Sequence, residues 1–228
     1  NLNQLKQKGN TFCKHLMMLI ALAGSITVFS QDAAVTPTND DTKVAWRTGG
    51  GGGTTIFGTV TAVAVVGNWG TTLSQITDSN TSNSGFSSHS VASTLGTDIT
   101  STVKLSDGKT YGTTPFTGYR IGVVANRAIT GGFTPTIGLT GTNNVIITTY
   151  LGGVVQETSP AQNWTLGASS MDVGFYVHKP FDEVRVIQNG RVTNVGGTAT
   201  ATLGVNYVYL QRYTRTGGGF DTTGEKVV

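Results

Sequence analysis

Carboxylates are the groups in this chain best placed to do chemistry. Asp182 and Glu183 are adjacent, so on a strand they project to opposite faces and cannot act on one bond together. Either could combine with Glu157 as the acid and base of a glycosidase, which needs carboxyl groups about 5–10 Å apart. The plainer reading is that Lys179, Arg185 or backbone amides neutralise them, with Pro180-Phe181 starting a strand. The run from Asp78 to Gly85 offers oxygen donors at alternate positions, as a calcium loop does. Its sixth position is Asn83 rather than glycine and its twelfth is His89 rather than a bidentate glutamate, so it reads as a solvated loop. His89 sits beside Ser87, Ser88 and Ser90, yet no G-x-S-x-G elbow accompanies it. His178 has no second histidine near it in sequence, which argues against a zinc site. These residues predict no catalytic group, no metal ligand and no cofactor site.

Binding is better served than catalysis. Trp46, Trp69 and Trp164, with Tyr111, Tyr119, Tyr150, Tyr207 and Tyr209, could supply rings on which sugars stack, wherever those rings are exposed. Most are expected in the core or at sheet edges. Trp164, in the loop-like Ala161-Gln162-Asn163-Trp164, is the candidate for an exposed ring and a glycan contact.

The elements that must carry these residues are strands. Thr is the commonest residue, there are 32 glycines, and no stretch after Ser30 keeps helical apolar spacing. β-branched side chains fit a pleated, half-buried surface, and glycines punctuate it. Strands are expected at Ile56–Val66, Gly118–Ala125, Val173–His178 and Gly204–Arg212. Hairpins are expected around Gly152-Gly153, around Asn189-Gly190 (joining 184–188 to 191–195) and around Asp107-Gly108, because such pairs adopt the positive φ of type I′ turns. Ser74–Ser93 is Ser/Asn/Thr-rich and reads as a loop. The spacing predicts an all-β fold, an antiparallel two-sheet β-sandwich of jelly-roll type.

The ends of the chain have a different character. Lys6, Lys8, Lys14 and His15 precede the apolar run Leu16–Phe29, and small residues at Val28 and Ser30 follow the pattern of a cleavage site. This predicts a secretory signal over residues 1–30; the apolar run is shorter than the ~20 residues of a resident membrane helix. Residues 31–53, ending in five glycines, read as a flexible arm. Residues 54–213 read as the sandwich domain, and 214–228 as a glycine-rich tail. That tail stops without a clear end and Asn1 is not a methionine, which together suggest a fragment of a longer reading frame. The formal charge of +3 resides in the leader, leaving the remainder near neutral and without the basic stripe of a nucleic-acid binder. The one cysteine, Cys13, also lies in the leader, so no disulfide or thiol chemistry is expected beyond it.

The succession LSDGKTYGTTPFTGYRIGVV, NVIITTYLGGVVQET, GFYVHKPFDEVRV and NYVYLQR resembles a β-sandwich module recurrent in secreted and cell-surface, adhesin-like proteins of Bacteroidota. The resemblance covers about residues 102–212. It implies a module of adhesins or filaments with no catalytic residues to carry over; the hairpin position often held by Asn in that family is Gly152 here.

Residues and resemblance together predict a secreted or surface-displayed structural or adhesive module, non-catalytic and self-assembling by strand addition through 31–66. Its expected partners are other copies of itself and cell-surface components. The alternative is a lectin-like glycan-binding module built on Trp164. Neither nucleic acid nor a resident membrane span is expected.

Overall fold

The computed structural model describes residues 44–48, 59–112, 117–138 and 140–214. The leader at 1–30, most of the arm at 31–53 and the tail beyond Thr214 lie outside the described residues. Among the described residues twelve strands follow in order: β1 (Val44–Ala45), β2 (Thr61–Val66), β3 (Gly85–Val91), β4 (Thr94–Ser106), β5 (Thr117–Phe133), β6 (Thr136–Ile137), β7 (Asn144–Leu151), β8 (Val154–Thr158), β9 (Gln162–Asn163), β10 (Ser170–Val177), β11 (Glu183–Asn194) and β12 (Gly196–Thr214). A 3₁₀ helix, Gly70–Ile76, precedes β3.

Every pairing among the described strands is antiparallel. In one sheet β12 lies between β5 and the pair β3 and β1, with β10 beyond β5. The other sheet runs β2-β4-β11-β7-β8, with β6 continuing beside β11 and β9 beside β7. The long strands pair as nested couples: β3 with β12, β4 with β11, β5 with β10, β7 with β8. A long hairpin folded over on itself produces this nesting, and the two sheets then face each other as a jelly roll. The expected fold class is the observed one.

Alternation along the strands builds the core. In β11, Val184, Val186, Gln188, Gly190, Val192 and Asn194 are buried, and the residues between them are half-buried on the outer face. Val184 and Val186 join Val103, Leu105, Val145 and Ile147 of the same sheet and Ile121, Val123, Val205 and Val208 of the other in one core cluster, and Val192 joins Val91, Ile99, Ala201 and Leu203 in a second. Each such aliphatic side chain stabilises by roughly 1.5–3 kcal/mol on full burial. An aromatic cluster fills one region: Tyr111 stacks on Phe181 at 5.2 Å and meets Trp46 and Tyr119 edge-on. The register of β12 shifts between Val205 and Tyr207. The inserted residue, Asn206, changes the inward set from Ala199, Ala201, Leu203 and Val205 to Val208 and Leu210, as a bulge must in a structure of period two.

Several local expectations are corrected. The residues 184–195 do not turn at Asn189-Gly190, because β11 passes straight through and pairs with β4 on one side and β7 on the other. The Asp107-Gly108 pair does bend the chain, with Gly108 at φ 74°. Tyr111, however, bridges to Phe181 rather than back to β4, so no hairpin forms. The stretch 74–93 contains the end of the 3₁₀ helix and the whole of β3, because its polar residues alternate with inward-facing Gly85, Ser87 and Val91. Of the expected arm, the described part at 44–48 is built into the sandwich: β1 pairs with β12, and Trp46 and Arg47 are buried. The Gly152-Gly153 hairpin is present, with φ of 57° and 81°.

Candidate functional site

The carboxylates singled out above are engaged in holding the fold. Glu157 accepts through Oε2 from the backbone amides of His178 and Lys179, both at 2.9 Å. Burial pushes its carboxyl upward, opposed by those two amides. Asp182 Oδ2 accepts from the Gly152 amide at 2.9 Å and pins the β7–β8 turn. Glu183 pairs with Arg185 at 2.6 Å and Lys104 at 3.2 Å. Each group has a structural partner, so the glycosidase arrangement finds no support in the geometry.

The loop at Asp78 closes on itself. Asp78 Oδ1 accepts from the Asn80 amide, Asn80 Oδ1 from the Ser82 amide, and Asp78 Oδ2 from Asn83 Nδ2. Its carboxylate and amide oxygens serve groups of the loop itself, an Asx-turn pattern, and Arg47 joins Asp78 from outside it. Among the described residues no cluster of His, Cys, Asp and Glu could hold a metal ion. His89 lies on β3 rather than in a loop, with Nε2 at 2.8 Å from Ser101 Oγ and 3.3 Å from Ser87 Oγ. Both serines are fully buried, and no substrate could reach them. Burial pushes the His89 imidazole downward.

An open cleft of ≈ 420 Å³ is lined by Gly138, Thr140, Gly141, Thr142, Asn143, Asn144, Asn163 and Trp164. The second sheet positions it. Asn144 opens β7 and lies in register with Asn189 of β11 on one side and Asn163 of β9 on the other. Asn189 Nδ2 donates to Asn144 Oδ1 at 2.9 Å. Asn143 holds the approach to β7: its Oδ1 accepts from the Arg191 amide, its Nδ2 donates to the carbonyls of Thr140 and Gly141, and its carbonyl accepts from the Trp164 amide. The wall is therefore braced by backbone and amide hydrogen bonds before any ligand arrives.

Trp164 is on this wall but is not the exposed ring expected from sequence. It is 7% exposed: it belongs to the core cluster, and the Arg127 guanidinium lies over the ring at 4.5 Å from its centroid. Arg127 in turn donates from Nε to the Ala168 carbonyl and from Nη2 to the Thr165 carbonyl, tying the loop after Trp164 to β5. Amides and hydroxyls on the cleft can exchange hydrogen bonds with a ligand's hydroxyls. No carboxylate, imidazole or thiol lines it among the described residues.

The other rings are mostly interior: Trp46, Trp69, Tyr111 and Tyr209 are buried, and Tyr150 carries Arg185 over its face at 3.9 Å. Sequence reasoning singled out Trp164 and missed Asn143, Asn144, Asn163, Thr140, Thr142 and Arg127. The Gly-x-Thr-Gly-Thr-Asn-Asn composition of 138–144 marks a polar loop before a strand. Its meeting with 163–164 depends on the pairing of β7 with β9, which no local signal encodes.

No helix among the described residues is long and apolar enough to cross a membrane. Neither a protein-family model nor a curated protein matches the chain. Among solved structures, the family 32 carbohydrate-binding module of NanJ from C. perfringens, in complex with galactose, is similar over 67% of this chain and 93% of its own, at 16% identity and TM-score 0.38. The module CpGH89CBM32-5 from Clostridium perfringens, in complex with GalNAc-β-1,3-galactose, covers 66% of this chain and 94% of its own, at 13% identity and TM-score 0.34. The enzymatically active domain of tailspike protein 4 from bacteriophage CBA120 matches 57% of this chain and 19% of its own, at 15% identity and TM-score 0.25. All three likenesses are distant, and the two-sheet β-sandwich stands on the strand pairing described above.

Proposed function

We propose that this chain is a non-catalytic carbohydrate-binding β-sandwich, with its ligand in the cleft beside Trp164. The observation that carries this reading is the lining: three asparagines, two threonines and an indole, with no titratable acid or base among the described residues. Amide and hydroxyl groups held on β7, on β9 and on the loop that leads into β7 suit a ligand rich in hydroxyls. The leader expected at 1–30 would deliver such a module to the cell exterior, where glycans are displayed. A glycan array followed by calorimetry on the full chain tests it. Binding by wild type, weakened about tenfold by Asn163→Ala and by Thr142→Ala, is the expected result. An array on which wild type captures no glycan rejects the reading, as does affinity untouched by both substitutions.

A second reading, assembly into a surface structure, is favoured by β2. This strand pairs with β4 alone among the described strands, and Val63, Val65 and Val66 are 45–46% exposed. It has neither the charges nor the proline that usually block an open edge. If copies join there, wild type elutes as larger species on sizing and Val65→Lys as monomer. Identical elution of the two removes this reading.

A further inference from the structure

Resting on the carbohydrate reading above, we infer that the cleft selects an anionic sugar, one bearing a carboxylate or a sulfate ester, and that Arg127 supplies the selectivity.

Four ion pairs occur among the described residues, made by Arg47, Lys104, Arg185 and Arg191 with Asp78, Glu183 and Asp98. Arg127 belongs to none of them, although it is only 3% exposed. Its Nε and Nη2 donate to neutral carbonyls, and its Nη1 is buried without any hydrogen-bond partner. A buried cation with no anion is costly to keep, far more than a buried pair. Burial pushes its guanidinium downward, and no acidic neighbour opposes the shift.

The position of this charge points to the cleft. Arg127 is wedged between two residues of the cleft wall, with its guanidinium over the Trp164 ring and Nη1 packed against Gly138. Any side chain at Gly138 would collide with Nη1, so the glycine is what lets the charge come up to the wall. Trp164 adds a second buried donor with no partner, its Nε1. The rest of the lining is neutral. A positive charge seated in low dielectric one residue behind an open cleft raises the potential there with little screening. An anion entering the cleft would supply the counter-charge the fold omits, and a side-chain adjustment of Nη1 or Nε1 would allow a charge-assisted hydrogen bond.

The test compares each anionic ligand with its neutral counterpart on the full chain, by calorimetry. The probes are oligogalacturonate against its methyl ester, and a sulfated galactan against the unsulfated polymer. The expected result is that at least one acid binds about tenfold or more tightly than its neutral partner, with the advantage shrinking as salt is raised. Whichever pair shows the difference names the anion. Arg127→Gln should abolish that difference, read as the ratio of acid to neutral affinity within the variant; if this variant does not fold, the wild-type acid-to-neutral ratio and its salt dependence decide alone. Equal affinity for acid and neutral forms overturns the anion inference and leaves the carbohydrate reading standing. Absence of binding to acid and neutral glycans alike overturns both.

Discussion

Gly152-Gly153 and Asn189-Gly190 lie in the same sheet on neighbouring strands, and the chain does opposite things at them. At Gly152-Gly153 both residues take positive φ and the chain reverses, so that Leu151 faces Val154. At Asn189-Gly190 neither φ is positive, and β11 continues to Asn194. The surroundings differ in the same sense. The Gly152-Gly153 turn is exposed, with nothing within 4 Å of where either Cβ would stand. Gly190 faces the core, where a Cβ would meet Ile99, Ile137 and Leu203 at 3.4–3.5 Å. Asn189, on the outer face, accepts from Thr100 Oγ1 and donates to Asn144 Oδ1, one neighbour on each flanking strand. A turn preference worth about 1 kcal/mol cannot compete with a ladder satisfied on both sides and a core-facing row of valines. At the sheet's edge nothing competes with it.

The largest effect should come from lengthening the chain at each place. Two glycines inserted after Asn189 would break β11 at its centre and displace half of its core row, destabilising by more than ~4 kcal/mol. The same insertion between Gly152 and Gly153 only lengthens an exposed loop and should cost less than ~1 kcal/mol. Urea denaturation monitored by tryptophan fluorescence measures both. Similar losses at the two sites would remove the distinction between them. A smaller effect is expected from Gly153→Ala, which forces an L side chain into the left-handed region at φ 81°. It should cost roughly 1–2 kcal/mol in the same assay, and no change would show that this turn can relax to another type.

These two sites also mark what was legible from residues alone. The fold class was legible because it depends on pattern: β-branched alternation, glycine punctuation and the lack of helical spacing leave few alternatives. The Gly152-Gly153 turn was legible because its neighbours in space are its neighbours in sequence. The straight course of β11 was not, since it is decided by β4 and β7, whose paired residues lie some 45 to 89 positions away. Trp164 could be picked out by residue type, but not its burial, which comes from the core cluster it joins and from Arg127, 37 residues upstream. The asparagines of the cleft carry no signature beyond that of an ordinary polar loop. His89 and Ser87 were misread as part of a loop because a polar strand at the rim of a sandwich lacks the apolar alternation that announces a strand.

The continuity of β11 reaches the cleft through Asn189. Asn189→Ala removes the hydrogen bonds to Asn144 and Thr100, leaving Asn144 Oδ1 without this donor. A loss of about 1 kcal/mol in stability is expected. Glycan affinity should fall a few-fold along with it, because Asn144 lines the cleft and Asn189 holds it. Unchanged affinity in a destabilised variant would separate the sheet from the site and show that Asn143 and Trp164 hold the wall without help from β11.

Gly190→Ala should have the smallest effect, and it distinguishes most sharply between a turn and a strand. In a type I′ turn this glycine would have positive φ, and alanine there would cost about 1 kcal/mol or more. In the observed strand its φ is ordinary, and the added methyl reaches Ile99, Ile137 and Leu203 at normal contact distance. Alanine also restricts the unfolded chain more than glycine does. The variant should therefore be neutral or more stable by up to about 0.5–1 kcal/mol, seen as an unchanged or raised urea midpoint at constant slope. A clear drop in the midpoint would mean that Gly190 is needed for its backbone freedom after all, and that β11 bends where it is described as straight.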